Sequence, residues 1–362
     1  MAKKILFIAS HRLDRAPGQR YRFEQYFSYL EKHGFECKLS YVISKKDDKK
    51  FYAKGNYVSK LLIFFKSIII RTKDALAAPK YDIIFIFREA LMTKHIFFEK
   101  LFAKSGAKLV FDFDDAIWLP TVSAGNERLS WLKDAGKTPY IISLCNMVFA
   151  GNRYLADYAS DYCNNVKVVP TTIDTDLYKK IDVPKMDDRV CIGWSGSFTT
   201  IEHFEYGLPY LKAIKKKYGD KVYFKVVGDA TYLNEELGIQ GIAWNKEEEI
   251  AVISSFDIGI MPLPDDEWSK GKCGFKGLLY MSFEVPAVMS AVGVNKEIIQ
   301  DRVNGFLATD MEEWVDKLSL LIESAELRKK LGKAGRATVI EKYSVISQRD
   351  NYVKYLNEVL TT

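Results

Sequence analysis

Short apolar runs alternate with amphipathic stretches along most of this chain. Ile5–Ser10 reads as a buried strand, followed by a loop containing Gly18. Phe23, Tyr26, Phe27 and Leu30 then recur at i, i+3, i+4 and i+7, one face of a helix that Gly34 closes. Cys37–Ile43 resumes as a strand, so the chain opens β-α-β, which implies a parallel sheet. Asp82–Phe87, Lys108–Phe113 and Val166–Val169 continue the series, and residues 181–188, with Pro184 among charges, read as a linker. The alternation then restarts. Val190–Trp194 is a strand and Gly193–Ser197 its turn; Tyr223–Val227 leads into Gly228-Asp229; Glu247–Ser254 is a helix and Phe256–Leu263 a strand. Met311–Leu360 reads as helical throughout. The pattern predicts two α/β halves, 1–180 and 181–342, with a closing helix over 343–362.

Composition narrows the class. At 362 residues and 48% hydrophobic content, the chain can bury two cores of ordinary size. Its five cysteines are widely spaced, with no zinc-like or redox pairing, which points to reduced thiols in the cytosol. Charge is uneven: residues 1–170 hold 28 Lys and Arg against 17 Asp and Glu, and residues 171–362 hold 25 against 30. A basic first half suits an anionic acceptor or an anionic membrane face. Without a recognisable nucleic-acid motif, a nucleic-acid partner is not expected.

Trp268–Ile299 carries the densest chemistry. Gly271 and Gly274 permit close approach of backbone to a ligand, and Lys272 and Lys276 flank them. A helix begins near Phe275, and a helix start suits phosphate. These residue types point to a nucleotide-diphosphate site and equally describe an ordinary loop and helix of an α/β sheet. In the first half, Arg12, Arg15, Arg20 and Arg22 crowd the loop after the first strand, as acceptor-phosphate or donor ligands or as a solvated basic loop. Two strands end in charge, at Arg88-Glu89 and at Asp112-Phe113-Asp114-Asp115. Ligands gather at such strand ends in open α/β sheets, so Gly18, Arg20, Arg88 and Asp114 are acceptor-side candidates, and Asp114 or Asp115 is expected to reach the acceptor. Residues 45–73 mix lysines with Phe51, Tyr52, Tyr57 and the apolar Leu61–Ile70. That run is about half the ~20 residues a membrane span needs. It is either a helix lying on a membrane surface or a core helix packed on the sheet.

Lys276-Gly277-Leu278-Leu279-Tyr280-Met281, Pro286-Ala287-Val288 and Gly293-Val294-Asn295-Lys296-Glu297 together resemble the signature of the retaining GT-B glycosyltransferases of family 4 (group 1). The resemblance implies two Rossmann-like parallel-sheet domains facing a cleft, with a C-terminal helix crossing back to the first. It implies transfer of a sugar from a nucleotide-sugar, UDP taken ahead of GDP or dTDP, to a hydroxyl of a glycan or lipid-linked acceptor. No cofactor and no metal are expected; the Asp112-Phe113-Asp114 imitation of a metal motif lies in the wrong half. Donor ligands on this reading are Gly196, Ser197, Thr199, Gly228, Trp244, Gly274, Phe275 and Glu297, and the catalytic set is Lys272, Lys276 and Asp115. The chain departs from the family where Gly271 and Leu279 stand in place of two donor-binding glutamates. It also lacks an Arg and a Lys in the turn 193–197. A sugar-nucleotide epimerase and a non-catalytic nucleotide-sugar-binding protein are the alternatives.

Overall fold

The computed structural model describes residues 2–53, 55–120, 134–185 and 187–361. The chain forms two compact units, Met1–Thr171 with Gln348–Thr362, and Thr172–Ser347.

In the first unit, β1 (Lys3–His11), β2 (Phe35–Ile43), β3 (Ile83–Phe87), β4 (Lys108–Phe113), β5 (Met147–Ala150) and β6 (Val166–Val168) form one parallel sheet in the order β2-β1-β3-β4-β5-β6. All five residues of β3 and all four of β5 are buried. Helices on both faces of a parallel sheet produce such unbroken apolar runs. The C-terminal helix Val345–Thr361 completes this unit: Tyr352 stacks on Tyr26 at 4.1 Å and donates to the Arg22 carbonyl, and Lys167 pairs with Glu358 at 2.6 Å.

The second unit holds β7 (Val190–Ser195), β8 (Val222–Val227), a two-stranded ribbon of β9 (Leu233–Asn234) and β10 (Ile239–Gln240), then β11 (Ile258–Met261), β12 (Ala287–Ser290) and β13 (Phe306–Ala308). Its main sheet is parallel, in the order β13-β12-β11-β7-β8. Its core includes Ile192, Trp194, Phe204, Leu211, Ile260, Val288 and Trp314.

Three sequence expectations change in the structure. Gly18 lies not in a loop but in the helix Pro17–Arg22, which Pro17 starts with its φ already set for a helix. The stretch after Met311 is three helices, Met311–Glu323, Ala325–Lys342 and Val345–Thr361. Ser324 and Ser344 interrupt it, their hydroxyls accepting from the Leu327 and Ser347 amides at 3.1 and 3.0 Å and so capping the next helix. Residues 45–73 fall into the helices Lys45–Tyr52 and Tyr57–Ala77, separated by Gly55 and Asn56 with positive φ.

The helix Tyr57–Ala77 is turned the opposite way from an ordinary core helix. Its buried stripe is Ile63, Ser67 and Arg71, against β2, while Leu61, Leu62, Phe65 and Ile69 are exposed. Arg71 is fully buried. It donates to the Ala9 and Ala90 carbonyls at 2.6 Å each and to Ser40 Oγ at 3.0 Å, and pairs with Asp74 at 2.8 Å. A buried guanidinium with its donors engaged is tolerable where an unpaired one is not, so polar bonds help hold this helix while Leu61, Leu62, Phe65 and Ile69 are left outside.

Candidate functional site

In an open α/β sheet, ligands bind beyond the carboxyl ends of the strands where strand order reverses. In the second unit that point lies between β7 and β11, and in the first between β1 and β3. The sequence candidates gather near both.

Beyond β7, Gly196 donates to the Val227 carbonyl at 2.9 Å, and Ser197 to Thr200 Oγ1 at 3.1 Å; the Ser197 and Thr199 hydroxyls are 2.8 Å apart. Gly228, after β8, has φ +117°, and a Cβ there would lie 2.0 Å from the Gly196 oxygen. The two loops touch only because Gly228 carries no side chain. Between β11 and β12, Gly274 caps the helix Phe275–Ser282 in the left-handed conformation. A Cβ on Gly274 would meet Ile298 Cδ1 at 2.2 Å, so the loop 271–274 lies against the 293–298 turn. Asn295 ties that turn to the Ser290 carbonyl at 3.0 Å.

Trp194 joins these parts. Lys276 Nζ stands 5.4 Å from its ring centre, and a Cβ on Gly196 would strike the same ring at 2.1 Å. Lys276 and Gly196 thus share the Trp194 ring, and the turn 193–197 itself has neither Arg nor Lys. Lys272 lies over Trp268 at 4.4 Å. Tyr280, buried on the same helix, accepts the Ser195 amide at 2.8 Å and locks the helix to the end of β7. Glu297 is exposed on its short helix. Trp244 donates to Glu249 at 2.9 Å. Leu279 is 1% exposed, part of the core and turned from solvent. Tyr280 and Asn295 stand inside the family-like motifs and Trp194 in an apolar strand, but nothing in the sequence showed the contacts they make.

In the first unit, Arg88 has a positive φ of 63° and reaches both carboxylates that follow β4, Asp114 at 2.6 Å and Asp115 at 2.5 Å. Burial works against the guanidinium's charge, but the two carboxylates outweigh it and raise its pKa. A Cβ on Gly18 would meet the Phe87 ring at 3.1 Å and Asp114 Oδ2 at 3.2 Å, so Gly18 belongs to the same cluster. Arg20 instead lies over Tyr21 at 4.6 Å and donates to its hydroxyl. The remaining arginines of the basic loop are paired with carboxylates. Arg22, fully buried, makes a two-pronged pair with Asp112 and donates to the Val169 carbonyl. Arg12 and Arg15 share Asp48 at 2.9 and 2.5 Å. Asp112, wholly buried in its pair with Arg22, is closed to a metal ion.

Residues 189–324 match the family of group 1 glycosyl transferases. Sucrose-phosphate synthase from Thermosynechococcus elongatus superposes with a TM-score of 0.72 at 12% identity, covering 99% of each chain. The fold is GT-B. A glycosyltransferase from Rickettsia africae gives 0.69 at 14% identity over 99% of each chain. Anabaena HepE, solved with UDP and glucose and with UDP-glucose, gives 0.66 at 15% and 14% identity, covering 98% of this GT-B chain and 99% of HepE. No curated protein matches at the level of sequence. The second unit of this GT-B chain is thus similar to the group 1 glycosyl transferases both in sequence, over 189–324, and in fold.

Proposed function

We propose that this chain is a retaining glycosyltransferase that moves a sugar from a UDP-sugar to a hydroxyl of a glycan or lipid-linked acceptor, in surface polysaccharide or glycoconjugate synthesis. The observation that carries the reading is Lys276, held over Trp194 beside the Gly196–Gly228 contact at the reversal of strand order. The pyrophosphate would rest on the Ser197 and Thr199 hydroxyls and the helix start at Phe275, with Gly196, Gly228, Gly274 and Glu297 around it and Trp244 toward the base. When the bond from the anomeric carbon to the phosphate oxygen breaks, charge builds on the departing UDP. Lys272, Lys276 and the helix start offset it in place of a metal ion. Asp114 and Asp115, oriented by Arg88, would take the acceptor hydroxyl, with Gly18 alongside.

The apolar outer face of Tyr57–Ala77 supports a peripheral location on the cytoplasmic membrane face. Leu61, Leu62, Phe65 and Ile69 form one stripe at about 100° per residue, with Lys66 and Lys73 on its flank, the pattern of an interfacial helix. Among the described residues no helix is long and apolar enough to cross a membrane.

A nucleotide-sugar-binding protein without turnover is the second reading, favoured by Gly271 and the buried Leu279 where the family resemblance places carboxylates. Calorimetric titration with UDP, GDP and dTDP, with transfer assayed in parallel, separates the two. In the transferase, Lys276→Ala lowers turnover by about 10²–10³, equivalent to roughly 2.7–4 kcal/mol of transition-state stabilisation. Unchanged turnover in that variant refutes the role of Lys276.

A further inference from the structure

A second opening in the first unit has no residue of the Arg88 cluster in its lining. It has a volume of about 640 Å³ and is walled by residues 94–100 and 134–140. That is the size of a pocket for one small ligand or one ligand head. Lys94, His95 and Lys100 line it, are exposed, and make no ion pair among the described residues. Its one acid, Asp134, already accepts the Gly136 amide at 2.9 Å. Phe97 and Tyr140, 61% and 64% exposed, add aromatic surface to the lining.

The base of this pocket is held in place by buried bonds. Lys137 donates to the carbonyls of Leu91 and Thr93 at 3.0 and 2.6 Å and pairs with Glu89 at 2.5 Å. From the other side, buried Glu99 accepts the Ala90 amide at 2.9 Å. The segment 89–93 is therefore pinned at both flanks, and Lys137 is committed to the wall. Among the described residues, Lys94 and Lys100, the cations that face the opening, have no ion-pair partner.

Cations gathered at one small opening select a compact anion, and adjoining exposed aromatics select an apolar neighbour to it. A nucleic acid would need a basic stripe, not a single pocket. We infer that this pocket binds the phosphate or diphosphate head of an amphiphile, with Lys94, His95 and Lys100 on the head and Phe97 and Tyr140 on the start of its apolar chain. The pocket adjoins Glu89, one residue from Arg88, so the same molecule would be anchored beside the carboxylates assigned to the acceptor. In that purpose the inference rests on the transferase reading; the binding itself does not.

The test titrates the full-length protein, with UDP at saturation, with farnesyl diphosphate, with farnesol and with phosphatidylglycerol vesicles. Farnesyl diphosphate is expected to bind and farnesol to bind far more weakly. Lys94→Glu with Lys100→Glu weakens farnesyl diphosphate binding by at least about tenfold, as loss of one charged hydrogen bond would, while UDP affinity stays at the wild-type value. Phe97→Ser weakens farnesyl diphosphate binding as well. Equal binding by the wild type and the double variant overturns the inference, as does binding to vesicles without binding to farnesyl diphosphate. A wild type that fails to bind UDP defeats the donor reading, leaving the farnesyl diphosphate series to be judged by itself.

Discussion

Gly228→Ala tests the architecture of the donor site most directly. Gly228 sits at φ +117°, where a side chain costs about 1–3 kcal/mol. Its new methyl would stand 2.0 Å from the Gly196 oxygen, a backbone atom that cannot rotate away. The loops after β7 and β8 must part, straining the bonds from Gly196 to Val227 at 2.9 Å and from Gly228 to Ile242 at 2.8 Å. Each such bond contributes about 0.5–1.5 kcal/mol, so the total loss is about 2–6 kcal/mol. Gly238→Ala is the control: its φ is +62° and no atom lies within 4 Å of the added Cβ, so it carries the conformational cost alone, about 1 kcal/mol. Urea unfolding of both variants measures the difference, and calorimetry with UDP measures the consequence. Moving the Ser197 and Thr199 hydroxyls is expected to weaken UDP by at least about tenfold, roughly the worth of one hydrogen bond. A Gly228→Ala protein as stable as Gly238→Ala, with wild-type UDP affinity, would refute both the loop contact and its place in the site.

Two further predictions concern the first unit. Burial, reinforced by Arg15 and Arg12 and opposed by Asp48 and the Gln19 hydrogen bond, lowers the His11 pKa to about 4. The unfolded chain binds that proton near pH 6.5 and the folded one does not, so stability is whole above about pH 6.5 and falls as the pH drops toward 4, by about 2 kcal/mol at pH 5. Urea midpoints at pH 7.5 and 5 should therefore converge in His11→Gln relative to the wild type, and an identical acid loss in both proteins contradicts the assignment. Phe65→Ser with Ile69→Ser removes two side chains that are 54% and 57% exposed. It should leave thermal stability near wild type and reduce partition onto anionic vesicles by about tenfold or more; unchanged partition removes that helix from the membrane contact.

The sequence alone determined the α/β alternation, because strands buried on both faces must be runs of apolar residues such as Ile83–Phe87 and Met147–Ala150. It also determined the glycine- and lysine-bearing turn before Phe275, because a left-handed cap such as Gly274 excludes most side chains. Tertiary structure decided what the charges do. Arg22 meets Asp112 across 90 residues and Arg71 meets Ala9 across 62, distances over which local pattern carries no information. The loop that read as a cluster of free arginines is thus largely spent on internal carboxylates, while Arg88 gathers Asp114 and Asp115. Only packing could show that Leu279 belongs to the core, or that Lys276 reaches Trp194. The outward face of Tyr57–Ala77 was hidden for the same reason: periodicity shows that a helix has two faces, and the buried bonds of Arg71 decide which one turns inward.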